Sequence, residues 1–179
     1  MKKILSYPLS LLVYVLFFFF ICLFHPIQWV CLNLFGYQAH KKSVDILNFF
    51  LLHILYFTFS TFEVENRELI PEGKPVIFVS NHQGLYDIIG IAWFLRKSHP
   101  KFVSKIELGK GIPSVSYNLK YGGSVLIDRK DPKQALPVLK KMGEYIETNS
   151  RSTVIFPEGT RTRDGHPKAF APNGLKILC

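Results

Sequence analysis

Two long apolar blocks, followed by short apolar runs that alternate with amphipathic ones, set the organisation of the chain. Between residues 4 and 24 the apolar run is interrupted only by Ser6, Tyr7, Pro8, Ser10, Tyr14 and Cys22, none of them charged. As a helix, this stretch reaches about 30 Å, the thickness of one hydrocarbon core. Lys2 and Lys3 before it fit a cleaved signal peptide as well as a retained anchor. The residues that follow, His25-Pro26-Ile27-Gln28-Trp29, lack a small-x-small cleavage site and favour retention. A second apolar stretch, 44–62, carries Asp45, Asn48 and His53, which are expensive facing lipid at mid-bilayer. That segment is therefore expected to lie at the interface or to pack against the first. If both crossed the bilayer, His40, Lys41 and Lys42 would face outward, against the positive-inside tendency. A shallow two-helix hairpin dipping into one leaflet avoids that conflict, whereas two buried core helices would need more covering than a domain this small supplies.

From residue 75 the period changes. Residues 75–80 form a short run rich in β-branched residues, followed by an apolar helix predicted over 87–97 with a basic last turn. Strands are predicted at 102–104, 124–127 and 153–156. The helix between the last two spans 131–149, with Asp131 as cap and Pro132 at its first position, and Pro137 argues for a kink or a later start. Continuously apolar strands separated by helices predict an α/β fold, a mostly parallel sheet flanked by helices, preceded by an N-terminal two-helix membrane anchor. The expected domains are 1–62, the anchor, and 63–179, the globular part.

Charge sharpens this division. The chain has 179 residues and a net charge of +9, with 48% hydrophobic and 15% aromatic residues, which excludes a disordered chain. Residues 1–62 contain only five charged side chains, and the remaining excess of positive charge lies in 63–179. A basic surface suits a membrane, a nucleic acid or a phosphorylated or CoA-linked substrate. Cys22 and Cys31 lie in apolar sequence and Cys179 is the last residue, so no disulfide framework is implied and reduced thiols on a cytoplasmic face are expected.

In parallel sheets ligands bind beyond the carboxyl ends of the strands. Here successive strand ends deliver Asn81 and His82, then Lys105, then Asp128 and Arg129, then Glu158, Thr160 and Arg161. His82 and Asp87 are five residues apart, which on one uninterrupted helix separates them by about 140°. They meet only if a turn intervenes, which Gly84 makes feasible. A carboxylate holding one imidazole nitrogen frees the other as a general base. Taken alone, this spacing fits a satisfied structural histidine more often than a catalytic one. No G-x-S-x-G elbow occurs, and no cysteine falls at a strand end, so no covalent nucleophile is apparent. Arg161 and Arg163, with Gly159 and Gly165 close by, suit a phosphate clamp, assisted by Lys105 or Arg129. A solvated basic loop is the plain alternative. Glu158 is expected to support the arginine by an ion pair rather than to act as an acid.

Together, Asn81-His82-Gln83-Gly84-Leu85-Tyr86-Asp87 and Phe156-Pro157-Glu158-Gly159-Thr160-Arg161 resemble the paired signatures of the glycerolipid acyltransferase superfamily, within it the 1-acyl-sn-glycerol-3-phosphate acyltransferases. Gly123-Ser124-Val125-Leu126-Ile127-Asp128-Arg129 is similar to the middle motif, and residues 102–108 to the segment before it. The resemblance implies that His82 is the base and Asp87 its orienting partner, and that the acceptor phosphate binds at Arg161. Glu158, Gly159 and Thr160 would shape that loop, with Lys105 or Arg129 assisting. It implies an acyl-CoA or acyl-carrier-protein donor, a lysophosphatidate acceptor, a bilayer as partner, a catalytic domain on the cytoplasmic face, and neither metal nor cofactor. Family members continue into a further strand-forming motif, so a C-terminally truncated chain of doubtful independent activity is expected. Other lysolipid or glycerol-3-phosphate acceptors, and an inactive anionic-lipid-binding module, remain alternatives. Nucleic-acid binding rests on isoelectric point alone and is not expected.

Overall fold

The computed structural model describes residues 2–162 and 166–178. Its first element, α1, runs Lys2–Leu55. Two helices, from the apolar stretches 4–24 and 44–62, are expected from sequence, yet the residues between them are helical too and one long helix results. Within α1 the backbone leaves helical values at Gly36 (φ 79°, ψ −171°). This one residue doubles the helix back on itself. Phe20 and Phe50 stack with ring centroids 4.7 Å apart, whereas on a straight helix thirty residues would separate them by about 45 Å. The arms close on Val13, Phe24, Leu47, Leu51, Leu52 and Leu55.

Gly36 occupies a region of backbone space open essentially to glycine alone. A Cβ there would meet no atom within 4 Å, so strain is isolated from packing. Gly36→Ala should therefore destabilise the chain by about 1–3 kcal/mol. A thermal melt of the variant against the parent checks this.

The remainder is an α/β unit: β1 Ile77–Val79, α2 Asp87–Phe94, β2 Pro100–Lys105, α3 Val115–Tyr121, β3 Val125–Ile127, α4 Pro132–Thr148, β4 Ser152–Ile155 and α5 Asn173–Leu178. The four strands lie in the order β1-β4-β2-β3, each neighbouring pair parallel. β2 is longer than its predicted core, because Pro100 and Lys101 pair in register with Ser152 and Thr153. The helix at 87 stops at Phe94, and its basic end winds into a 3₁₀ turn, Arg96–Ser98. Asp131 caps α4 through the N–H groups of Lys133 and Gln134 (3.0 and 3.3 Å). The helix starts at Pro132 and continues through Pro137, with no later start.

One sheet face packs Val103 and Ile155 against Leu139, Met142 and Ile146 of α4 and Leu178 of α5. The other packs Phe102, Val154 and Phe156 against Ile88, Ile91 and Ala92 of α2. The hairpin covers α2 in turn, through Ile89, Trp93 and Phe94. Its outer side stays bare: Leu11, Phe18, Phe19, Leu34 and Phe35 are all more than half exposed. By length and composition the segment Ser6–Thr58 is apolar enough to cross a membrane, and only 11% of its most apolar window is buried. A core helix would bury most of that window, whereas this one leaves a broad apolar surface of the kind that meets a membrane.

At the sheet's start, Lys101 is almost fully buried. Burial, then the Arg151 and Lys41 cations, push its ammonium down from 10.5 to about 7, with Asp45 opposing. Between those values the unfolded chain binds a proton that the folded chain has released. Stability should therefore rise as pH increases through that window, and this gain is absent below it. Denaturation midpoints at about pH 6 and about pH 9 test the sign.

Candidate active site

Parallel pairing puts all four strand ends on one edge of the sheet, and the polar groups expected there are found there. After β1 the chain turns through 81–86 before α2, so Asp87 in the helix's first turn faces back toward His82. His82 Nδ1 lies 3.0 Å from Asp87 Oδ2, and the same oxygen accepts the N–H groups of Gln83 (2.8 Å) and Gly84 (2.9 Å). A carboxylate only accepts, so the imidazole proton sits on Nδ1 and Nε2 is left as the basic nitrogen. Gly84 contributes its N–H rather than an unusual backbone: its φ is not positive, and a Cβ would sit 3.5 Å from Asp87 Oδ1, an ordinary contact.

The His82 side chain is 14% exposed and its ring stacks on Phe156 with centroids 4.4 Å apart. This floor fixes the ring plane from below, while Asp87 fixes its rotation. Phe156 follows β4, the strand beside β1, so the stack depends on the 77–79 to 153–155 register.

Glu158 does something other than expected. It is 9% exposed, and its two oxygens accept the N–H of His82 (2.7 Å) and of Lys168 (2.9 Å). Among the described residues no ion pair joins it to Arg161. The carboxylate is instead a tie between two loops. Gly159, at φ 69°, makes the tight turn that returns its N–H to Phe156 (3.0 Å). Thr160 and Arg161 follow, both exposed. Thr162 then donates its N–H to the His82 carbonyl (3.1 Å), and its hydroxyl donates to the Gln83 amide oxygen. Arg161 is thus one residue from a direct bond to the His82 backbone. Arg163 and Gly165 lie outside the described residues.

Lys105 ends β2 and is exposed, with β2 next to β4 in the sheet. Arg129 follows β3, one strand further out, and Glu107 acts on its guanidinium, opposing the downward push of burial. Both stand on the correct edge. With strands about 4.8 Å apart, Lys105 is closer to the Arg161 loop than Arg129 is.

Sequence reasoning missed Gln83, Phe156 and Thr162 as positioning residues. Gln83 and Phe156 stand inside the two quoted motifs and Thr162 directly follows the second, yet their partners lie more than seventy residues away and no local pattern announces the pairing. Among the described residues no cluster of His, Cys, Asp or Glu has the makings of a metal site. Cys22 and Cys31 are free thiols, and Cys179 lies outside the described residues.

The strand-end edge of the parallel sheet thus carries a carboxylate-held imidazole tied through Glu158 and Thr162 to a basic loop. The chain belongs to the acyltransferase family, whose model matches residues 61–178. It is 40% identical over 105 residues to the 1-acyl-sn-glycerol-3-phosphate acyltransferase of Helicobacter pylori, covering 57% of this chain and 42% of that protein. The human 1-acyl-sn-glycerol-3-phosphate acyltransferase beta is 29% identical over 136 residues, 76% of this chain and 48% of that one. Among solved structures, the crystal structure of the 1-acyl-sn-glycerophosphate (LPA) acyltransferase PlsC from Thermotoga maritima matches with a TM-score of 0.79 at 28% identity, over 99% of this chain and 70% of that one. The chain therefore spans less than half the length of the first two relatives.

Proposed function

We propose that residues 63–179 carry an O-acyltransferase that moves a fatty acyl group from a thioester, acyl-CoA or acyl-carrier protein, to the sn-2 hydroxyl of 1-acyl-sn-glycerol-3-phosphate, forming phosphatidate. The observation that supports this reading most is the direct bonding of the His82 turn to the Arg161 loop, through Glu158 and Thr162. His82 Nε2 takes the proton of the acceptor hydroxyl as its oxygen attacks the thioester carbonyl. The carbon–sulfur bond then breaks, and the proton passes from the imidazolium to the departing thiolate. Asp87 keeps the imidazole in the required tautomer and stabilises its positive charge while it lasts. Arg161 grips the acceptor phosphate, Gly159 and Thr160 shape the loop around it, and Lys105, with Arg129 further out, adds positive charge.

Residues 1–62 act in this reading as a two-armed anchor seated in one leaflet of the cytoplasmic face, Gly36 at the bend. Its bare apolar side meets the acyl region, and the strand-end edge opens toward membrane-borne acceptor. The chain in phosphatidylcholine vesicles, given labelled acyl thioester and a choice of lysophosphatidate, glycerol-3-phosphate or lysophosphatidylcholine, should label phosphatidate preferentially. Labelling spread evenly over the three acceptors would contradict the assignment.

A further inference from the structure

On the outer surface, where the second arm of the hairpin passes the end of α2, lies a groove of about 410 Å³. Ile46, Phe49, Phe50 and Trp93 give it an apolar floor, and Lys42 and Arg96 stand in its wall. We propose that this groove seats one phospholipid of net negative headgroup, with the phosphate on Arg96 and Lys42 and the first stretch of an acyl chain along Ile46, Phe49 and Phe50.

The floor is aromatic, uncovered and continuous with the bare side of the hairpin. Ring contacts run without a break from Phe19 to Phe20 (5.3 Å between centroids), Phe20 to Phe50 (4.7 Å), Phe50 to Phe49 (5.6 Å) and Phe49 to Trp93 (5.2 Å). Ile46, Phe49 and Phe50 remain exposed along that row, so a hydrocarbon lying on the hairpin can follow it into the groove. The cationic end is prepared for an anion. The Arg96 guanidinium lies 4.0 Å from the centre of the Trp93 ring and donates an N–H to the Trp93 carbonyl (2.8 Å), which together hold its fork in place. Asp45 also lines the groove, but its carboxylate is engaged by the Lys41 ammonium. Among the described residues neither Lys42 nor Arg96 forms an ion pair. Counting Lys41, three cations therefore face one carboxylate. A guanidinium takes phosphate oxygens in pairs and a lysine adds a point charge, so this excess suits a headgroup phosphate. A choline or ethanolamine headgroup would bring a further cation against Lys42 and Arg96, which favours lipids of net negative charge. The Trp93 indole sits between the apolar floor and the cationic end, where the chain of a lipid meets its headgroup.

The site rests on the seating of the hairpin in a leaflet and not on acyl transfer, so His82→Ala should leave it intact. The chain has two tryptophans, and Trp29→Phe, at an exposed position, leaves Trp93 as the only indole. This variant of the full chain is placed in phosphatidylcholine nanodiscs containing graded fractions of acyl-brominated phosphatidylglycerol or acyl-brominated phosphatidylcholine, whose bromines quench an indole they touch. Phosphatidylglycerol is the probe because phosphatidate, as the proposed product, would also visit the Arg161 loop. Brominated phosphatidylglycerol should half-quench Trp93 at about one-tenth the fraction that brominated phosphatidylcholine needs, the scale of one charge-assisted hydrogen bond. Lys42→Gln with Arg96→Gln should bring the two lipids level. Removing the same charge from exposed positions of α4, with Lys140→Gln and Lys141→Gln, should keep the preference. Equal quenching by the two lipids, or equal loss of preference in both pairs of variants, would overturn the proposal, the latter by showing only a general attraction to a basic chain. A Trp93 quenched by neither lipid, as a second copy of the chain seated on the groove would leave it, overturns it too. Trp93→Phe reports in the same discs on Trp29 of the hairpin, and quenching there shows that the anchor is seated even where the groove fails. Should Arg96→Gln not fold, Lys42→Glu, at an exposed position, decides: the preference should vanish, and a preference that survives overturns the site.

Discussion

His82→Ala is expected to lower the rate of acyl transfer by about 10²–10⁴-fold while leaving the chain folded. The ring makes one charged contact, to Asp87, and one stacking contact, to Phe156, whereas its backbone N–H and carbonyl carry the ties to Glu158 and Thr162. Truncating the side chain therefore removes the proposed base and spares the loop junction. The phosphate grip proposed for the acceptor lies elsewhere, on Arg161, so KM for lysophosphatidate should change little and the loss should fall on kcat. Steady-state kinetics with varied acceptor, together with the circular dichroism melt, separate this result from simple unfolding. A rate within a few-fold of the parent would remove His82 from the chemistry.

Glu158→Ala should produce the opposite signature, a loss of both fold stability and activity. The buried carboxylate satisfies two backbone N–H groups on different loops, and alanine leaves both unpaired. Removing one partner from buried charge-assisted hydrogen bonds costs about 3 kcal/mol. The Arg161 loop loses its tether to the His82 turn at the same time, so transfer by whatever fraction remains folded should also drop. Glu158→Gln keeps one acceptor oxygen and should fall between the two. Melting temperature and rate measured side by side give the pattern, and a destabilised variant with undiminished rate per folded molecule would show that the tie does not position the loop.

What the sequence announces about this molecule is mostly what is local. His82 and Asp87 sit five residues apart, and the carboxylate–imidazole pairing expected of them is present at 3.0 Å. Asp131 and Pro132 start a helix where capping rules place it. The strands and their parallel arrangement follow from continuous apolar runs separated by helices. Long-range placements were not legible. Nothing near Glu158 in sequence shows that its oxygens reach residues 82 and 168, and the ion pair expected with Arg161 gave way to two backbone donors that lacked other partners. Residues 25–43 lie between the two apolar blocks and read as their connection, but they are helical up to and beyond Gly36, and Gln28, His40 and Lys41 find burial or partners against the domain. A single glycine then provides the bend. Lys101 lies just before the predicted strand 102–104, and nothing local shows that Tyr37 arrives from the hairpin to cover it.

Acceptor discrimination in Arg161→Ala probes most directly whether the proposed base and anion clamp act in one cleft. The unmodified chain should acylate lysophosphatidate far faster than the corresponding monoacylglycerol, which keeps the hydroxyl and lacks the phosphate. Arg161→Ala should lower kcat/KM for lysophosphatidate by about tenfold to a hundredfold, the worth of one charged bidentate contact, and leave monoacylglycerol unchanged. Discrimination that survives this substitution intact would contradict the shared cleft.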